Sequence, residues 1–109
     1  MDCSQSVFES HKEEFIIEQV HLIAYSTGLF DEGDIKVRIN PFKKFIVGNK
    51  TDDFIHVFTH IMQGRTTEQK ADLSKLVVTM LTTMFPDITN IAMNISDFEK
   101  ATYCNRTML

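Results

Sequence analysis

The chain has 109 residues, of which 43% are hydrophobic and 24% are charged, with four glycines and two prolines. This length and composition are typical of one packed domain, residues 1–109, and exclude a predominantly disordered chain. Eleven Lys and Arg against fifteen Asp and Glu give a formal net charge of −4. Such a surface does not neutralise a run of phosphates, so we expect no nucleic-acid partner.

The beginning of the chain and its two cysteines indicate where the protein is located and whether it has disulfides or a metal site. Residues 1–15 lack a basic stretch followed by an apolar one, and no apolar run approaches the length that crosses a bilayer. We therefore expect a cytoplasmic protein with no membrane partner. Cys3 and Cys104 lie near opposite ends without CxxC or zinc-ligand spacing. This favours two idle thiols over a disulfide scaffold or a metal site.

A helix is predicted early in the chain, after a short strand-like stretch at residues 1–8. Ser10 and Glu13 have the spacing of a capping box, in which each side chain satisfies a free backbone N–H at a helix start. Gly28 offers a left-handed stop. An apolar stripe with spacings of three and four residues lies between these signals: Ile16, Val20, Ile23 and Ala24. The pattern predicts a first helix over about residues 11–27.

Strands are predicted in the middle of the chain. Residues 35–40 alternate apolar and polar side chains, which is typical of a half-buried strand and puts Lys36 and Arg38 on the same face. Residues 45–47, a polar turn at 48–53 and the apolar run 54–62 together predict a β-hairpin.

The second helix has signals at both of its ends. Thr66 and Gln69 repeat the capping-box spacing, and Pro86 ends the helical pattern. The stripe between them consists of Leu73, Leu76, Val77, Met80, Leu81 and Met84. Alternating apolar residues over 91–95 then predict a last strand.

The order strand–helix–strand occurs twice, which predicts an α+β fold with a duplicated β-α-β layout and two helices on one face of a four-stranded sheet. Along 54–62 both faces carry apolar side chains. One face has Phe54, His56, Phe58, His60 and Met62, and the other has Ile55, Val57, Thr59 and Ile61. Two helices cover only one face, so we expect the other face to be buried by self-association.

Five short segments, spread over nearly the whole chain, resemble the 5-carboxymethyl-2-hydroxymuconate isomerase family of the tautomerase superfamily. They are TGLF at 27–30, DIKVR at 34–38, FIHV at 54–57, QGRT at 63–66 and TYCN at 102–105. No single segment is diagnostic, and the resemblance depends on their order and spacing. It implies a homotrimer whose subunits place helices outside and pack their sheets around a threefold axis.

The resemblance also implies an isomerase that ketonises a 5-carboxymethyl-2-hydroxymuconate-like dienol in aromatic-acid catabolism, with no metal or other cofactor. This keto–enol tautomerase chemistry needs a base that removes the enol proton and returns one to carbon. It also needs cations that hold the two or three carboxylates of the substrate. In the family the base is an amino-terminal proline, whose pKa is lowered by desolvation and by neighbouring cations.

The chain departs from this pattern at its start. It opens with Met1 and Asp2, residues 3–7 align with the end of the family's first strand, and its only prolines are Pro41 and Pro86. We favour a natural product that begins upstream with proline. The alternative is a divergent member without the base, which would be a catalytically silent trimer that binds small anions. Because Met1 is expected to supply only a flexible primary amine, little isomerase activity is expected from the chain as given.

Three cations are the predicted substrate-binding residues. The resemblance puts Arg65 at the position of a substrate-binding arginine and Lys36 at that of another, with Arg38 two residues further on the same face. A guanidinium forms a bidentate pair with a carboxylate, whereas Lys36 supplies charge without the planar fork. Without the resemblance, each of them would be interpreted as an ordinary solvated cation.

The spacing of the two histidines in the 54–62 strand argues against a metal site. His56 and His60 are four residues apart, which on a strand separates them by about 13 Å, too far for one metal ion. We therefore predict no metal site. His56 is expected in the core or at a subunit interface, where it could line the pocket.

Overall fold

The computed structural model describes all 109 residues and has an α+β fold. Its elements are β1 (Asp2–Ser4), α1 (Glu13–Ser26), β2 (Asn40–Phe42), β3 (Phe54–Met62), α2 (Thr67–Met84) and β4 (Asn90–Phe98). The sheet order is β2-β1-β3-β4. β1 runs parallel to β2, β3 runs parallel to β4, and β1 and β3 are antiparallel. The predicted duplicated layout with a four-stranded sheet is confirmed. Neither helix has the length and apolar character to cross a membrane.

The core lies between the two helices and one face of the sheet. Its ten buried residues are Cys3, Val7, Ile16, Val20, Ile55, Val57, Leu73, Val77, Leu81 and Phe85. The stripe of α1 packs into this core as predicted. In α2, Leu76 is an exception, because 45% of it is exposed although the helical spacing had assigned it to the core.

The N-terminus of α2 is capped as predicted. The Thr66 hydroxyl accepts a hydrogen bond from the Gln69 backbone N–H at 3.1 Å, and the Gln69 side chain accepts one from the Thr66 N–H at 2.9 Å. The helix ends at Met84, two residues before Pro86. Both end signals in the sequence therefore act where they were expected.

The predicted cap of α1 is wrong. The helix begins at Glu13 after Lys12, which makes no side-chain capping bond. Ser10 instead lies directly after a short 3₁₀ helix, Gln5–Glu9. Its backbone ends that helix and is therefore not free to start α1 with a capping box. The C-terminal stop is confirmed, since Gly28 has φ +72°.

The strand predicted over 35–40 and the longer one predicted over 1–8 are also corrected. Residues 35–39 alternate in burial, but β2 is only Asn40–Phe42. The parallel ladder begins at the pair Asp2 and Asn40, so residues 35–39 precede its first pair, and it ends at Phe42 because the chain after Ser4 winds into the 3₁₀ helix. Alternation alone therefore did not decide where main-chain pairing occurs.

The hairpin predicted over 45–62 does not form, although its second strand, β3, has the predicted bounds. Val47 and Lys50 form an isolated bridge around Gly48 and Asn49, both with positive φ. This tight turn uses the pairing groups of Val47 locally. β3 then pairs with β1 and β4 instead.

One face of the sheet carries no helix. On β3 it presents Phe54, His56, Phe58, His60 and Met62, the positions that alternate with the buried ones. The residues of β4 beside them are Asn90, Ala92, Asn94, Ser96 and Phe98. This uncovered face is therefore apolar along β3 and mainly polar along β4. Phe58 is 49% exposed at its centre.

Candidate functional site

Part of β3 has an unpaired edge, and this edge faces the side of the sheet on which Lys36 and Arg38 lie. β4 pairs with every residue of β3, whereas β1 pairs with it only through Asp2 and Cys3, opposite His56 and Ile55. Phe58–Met62 consequently have no partner on the β1 side. Because β1 lies between β2 and β3, continuing its register backward would set residues 35–38 opposite Phe58–Ile61 with the width of one strand, about 10 Å, between them. We call the space between residues 35–38 and Phe58–Met62 the strand groove.

Lys36 and Arg38 border this groove. Both side chains are exposed, while the alternating Ile35, Val37 and Ile39 are half-buried, and Val37 and Ile39 pack against the core. The predicted sharing of one face by the two cations is confirmed. The Arg38 carbonyl accepts a hydrogen bond from the Met1 amine at 2.8 Å.

The Met1 amine is more constrained than the sequence indicated. Besides its bond to Arg38, the Met1 carbonyl accepts a hydrogen bond from the Asn40 N–H at 2.8 Å, so the expectation of a flexible amine is wrong. Burial lowers the pKa of this amine, and the Arg38 charge lowers it further against the opposing effects of Asp2 and Cys3. Desolvation and a neighbouring cation are the two causes that make an amine a base near neutral pH.

Arg65 follows the end of β3, after a turn in which Gly64 has φ +126°. Its Nη1 donates to the Met62 carbonyl at 3.2 Å and its Nη2 to the Leu29 carbonyl at 2.6 Å. The guanidinium carbon lies 4.9 Å from the centroid of the Phe30 ring. A guanidinium has five N–H donors, so donors remain for a ligand. The side chain nevertheless has a structural role that its sequence position did not reveal.

The structure does not join the three predicted cations by any direct contact. Arg38 contacts Met1, Lys36 precedes Arg38 by two residues, and Arg65 is tied to the loop before them and to the end of β3. None of the three forms an ion pair. This does not set them apart from the other cations of the chain, because Lys70 is the only Lys or Arg that forms one. Their grouping at one side of the sheet rests on register and chain order.

His56 lies on the uncovered face, near the groove but beside a different cavity. Its Nε2 is 2.6 Å from the Asn94 amide oxygen, and its ring stacks on Phe58 with centroids 4.1 Å apart. Asp2 is its register partner on β1. His56 also lines a cavity of about 440 Å³ that contains none of the three predicted cations. His60 is exposed.

The larger cavity, of about 650 Å³, lies at the opposite end of β1. Its walls include Phe42 and Phe45 together with the acidic residues Glu9, Glu13 and Asp53 and one cation, Lys43. Acidic residues outnumber the single cation in these walls, which does not suit a site for a dicarboxylate, since like charges repel. No three His, Cys, Asp or Glu side chains come close enough together anywhere in the chain to hold a metal ion.

Comparison with known proteins agrees with the five segments that carry the resemblance. The model of the 5-carboxymethyl-2-hydroxymuconate isomerase family matches residues 1–107. The chain belongs to this family. No curated protein sequence gives a significant match to this chain.

Solved structures of low sequence identity share the tautomerase fold. A 5-carboxymethyl-2-hydroxymuconate isomerase from Deinococcus radiodurans R1 has a TM-score of 0.82 at 18% identity, with 96% of this chain and 84% of that chain covered. The symmetric trimer of wild-type fused 4-OT, W0, gives 0.83 at 13% identity, covering 99% and 92%. N1, a member of the cis-3-chloroacrylic acid dehalogenase family, gives 0.76 at 12% identity, covering 96% and 77%. At such identities these likenesses establish the fold.

Proposed function

We propose that this protein is a cofactor-independent keto–enol isomerase that ketonises a 5-carboxymethyl-2-hydroxymuconate-like dienol in aromatic-acid catabolism. Membership of the isomerase family supports this class of reaction. The observation that carries the proposal is the strand groove. It brings an amine of lowered pKa, exposed Lys36 and Arg38, and an unpaired strand edge to one side of the sheet.

The register of β1 indicates where a proline base would act. Extending β1 backward from Met1 by about four residues would carry it between residues 35–38 and Phe58–Ile61, at the spacing of adjacent strands. A secondary amine at the start of that extension would lie beside Lys36 and toward the end of β3, from which Arg65 follows. Desolvation by the flanking strands and the nearby positive charge would both lower its pKa.

The chemistry then needs only groups of this chain and such an amine. Lys36, Arg38 and the free donors of Arg65 hold the substrate carboxylates through charge-assisted hydrogen bonds. The amine removes the proton from the enol oxygen, the electron pair moves through the dienol, and the protonated amine delivers a proton to carbon. The cations stabilise the negative charge that develops between these two steps. Because Lys36 lacks a planar fork, it favours a single contact over a bidentate one.

We also propose that the protein is a homotrimer that buries the uncovered face. Phe58 is half exposed at the centre of that face, stacked on His56. A large aromatic side chain in this setting is typical of a surface that a second subunit covers. The W0 protein of the same fold is a symmetric trimer.

A second function is favoured by two other observations. The Arg65 guanidinium is already bonded to two carbonyls, and neither main cavity contains the predicted cations. These features fit a catalytically silent trimer that binds small anions at Lys36 and Arg38.

The test compares chain 1–109 with a chain extended by four residues that begins with proline, and with a matched extension that begins with alanine. The ultraviolet decay of 5-carboxymethyl-2-hydroxymuconate reports the rate, and light scattering reports the mass. We expect the proline extension to be about 100-fold faster than either other chain, the usual minimum for general acid–base catalysis. Equal rates in all active chains would contradict the proline base. Three inert trimers would contradict the isomerase and favour the silent trimer, and a monomer would contradict the assembly.

A further inference from the structure

The loop between α1 and the strand groove, residues 27–34, holds its own shape by short-range hydrogen bonds. The Leu29 N–H donates to the Thr27 hydroxyl at 3.3 Å, and the Asp34 and Ile35 N–H groups donate to carbonyls three residues earlier, at 3.0 and 3.1 Å. Glu32 accepts from His21 of α1 at 2.9 Å. All these partners belong to α1 or to the loop itself.

Arg65 makes the only hydrogen bond between this loop and the sheet. Nη2 holds the Leu29 carbonyl and Nη1 holds Met62, the last residue of β3, while the guanidinium face covers Phe30. The guanidinium therefore donates two hydrogen bonds in different directions while its flat face lies on the Phe30 ring. A lysine ammonium is a point charge on a flexible stem and has no flat face to lie on the ring.

We propose that Arg65 is a positioning residue whose guanidinium latches the loop to the end of β3 and thereby fixes where Lys36 stands at the groove. Lys36 follows the loop by two residues, and residues 35–39 have no strand ladder of their own to hold them. The bond from Met1 to Arg38 and the packing of Val37 and Ile39 hold the chain after Lys36, so Leu29 and Phe30 are the fixed point before it. The consequence for ligand binding rests on the proposed function, whereas the latch itself does not.

The first test measures amide hydrogen exchange in chain 1–109. Arg65→Lys keeps the charge but loses the fork, so exchange at Leu29, Asp34 and Ile35 should rise about tenfold or more, with α2 and β3 unchanged. Arg106→Lys is the matched control, since that side chain makes no hydrogen bond or ion pair. Unchanged exchange in Arg65→Lys would overturn the latch.

The second test uses malonate, a simple dicarboxylate, followed by the amide NMR shifts of Lys36 and Arg38. The decisive variant is Phe30→Leu, which removes the ring under the guanidinium and leaves every cation in place. We expect it to raise exchange in the loop and to weaken malonate several-fold, as Arg65→Lys does, while Arg106→Lys changes neither. If Phe30→Leu leaves affinity intact while Arg65→Lys lowers it, Arg65 acts on the anion alone and the positioning role is wrong. If malonate does not bind the unaltered chain, the proposed anion site fails and the exchange test alone decides the latch.

Discussion

The two β-α-β halves of this molecule have the same layout but differ in how completely they are built. In the second half, β3 and β4 pair over nine positions and α2 has a side-chain cap at its start. In the first half, β1 and β2 pair over three positions and α1 begins without a capping side chain. The second half supplies the rigid frame, and the predicted cations Lys36 and Arg38 lie in the less constrained half. Functional residues commonly occur in such regions of lower local stability.

The difference shows what stabilises the first half. Residues 35–39 have no ladder, so their position depends on side chains that pack into the core and on contacts from elsewhere. Arg65, from the second half, provides one such contact through Leu29. The well-formed half thus fixes the less complete one, and perturbing each half in turn tests this relation.

The largest effect on stability is expected from shortening a buried side chain of α2, in the second half. Leu81 is fully buried in α2, whereas Leu76 on the same helix is 45% exposed. Leu81→Ala should lower the free energy of unfolding by about 3 kcal/mol, because it loses apolar burial and leaves a cavity, and Leu76→Ala should cost less than about 1 kcal/mol. Urea unfolding monitored by circular dichroism measures both. Equal losses would mean that α2 does not present the face seen in the structure.

The second effect is a pH dependence of stability, which tests whether water is excluded from the core around β1. Cys3 of β1 is fully buried, and burial raises the pKa of its thiol to about 11. Between about pH 9 and pH 11 the unfolded chain therefore loses this proton while the folded chain keeps it. Stability then falls as pH rises through that window, by on the order of 2 kcal/mol.

Other groups also titrate above pH 9, so the measured quantity is the difference between the parent chain and Cys3→Ala at each pH. Cys104→Ala is the control, because Cys104 is exposed. The difference should shrink toward high pH for Cys3 and stay constant for Cys104. A constant difference for Cys3 would show that water reaches β1, and the first half would then be looser than its burial indicates.

The same contrast explains how much could be predicted from sequence. The signals for α2 are local, because Thr66, Gln69 and Pro86 act on their own helix, and the bounds of β3 follow from its apolar run. The failures concern Ser10 and residues 35–39. A capping spacing and an alternation were present there, but the backbone followed a neighbouring 3₁₀ helix and a short partner strand.

The candidate site divides in a similar way. Alternation alone put Lys36 and Arg38 on one face, and their exposure confirms it. The contacts of Arg65 depend on Leu29, which is 36 positions away, and on the turn at Gly64. No periodicity in the chain encodes a contact at that separation, so the role of Arg65 in the fold became visible only with the tertiary structure.

The smallest effect compares the two capping spacings directly. Thr66→Ala removes the acceptor for the Gln69 N–H and should cost about 1 kcal/mol of unfolding free energy. Ser10→Ala should change stability by less than about 0.3 kcal/mol, because Ser10 is exposed and its hydroxyl forms no hydrogen bond in the structure. Thermal unfolding at neutral pH resolves this difference, and Gln69→Ala serves as a second probe of the α2 cap. If Ser10→Ala costs as much as Thr66→Ala, then Ser10 caps α1 in solution. The first half would then be as fully specified by its own sequence as the second.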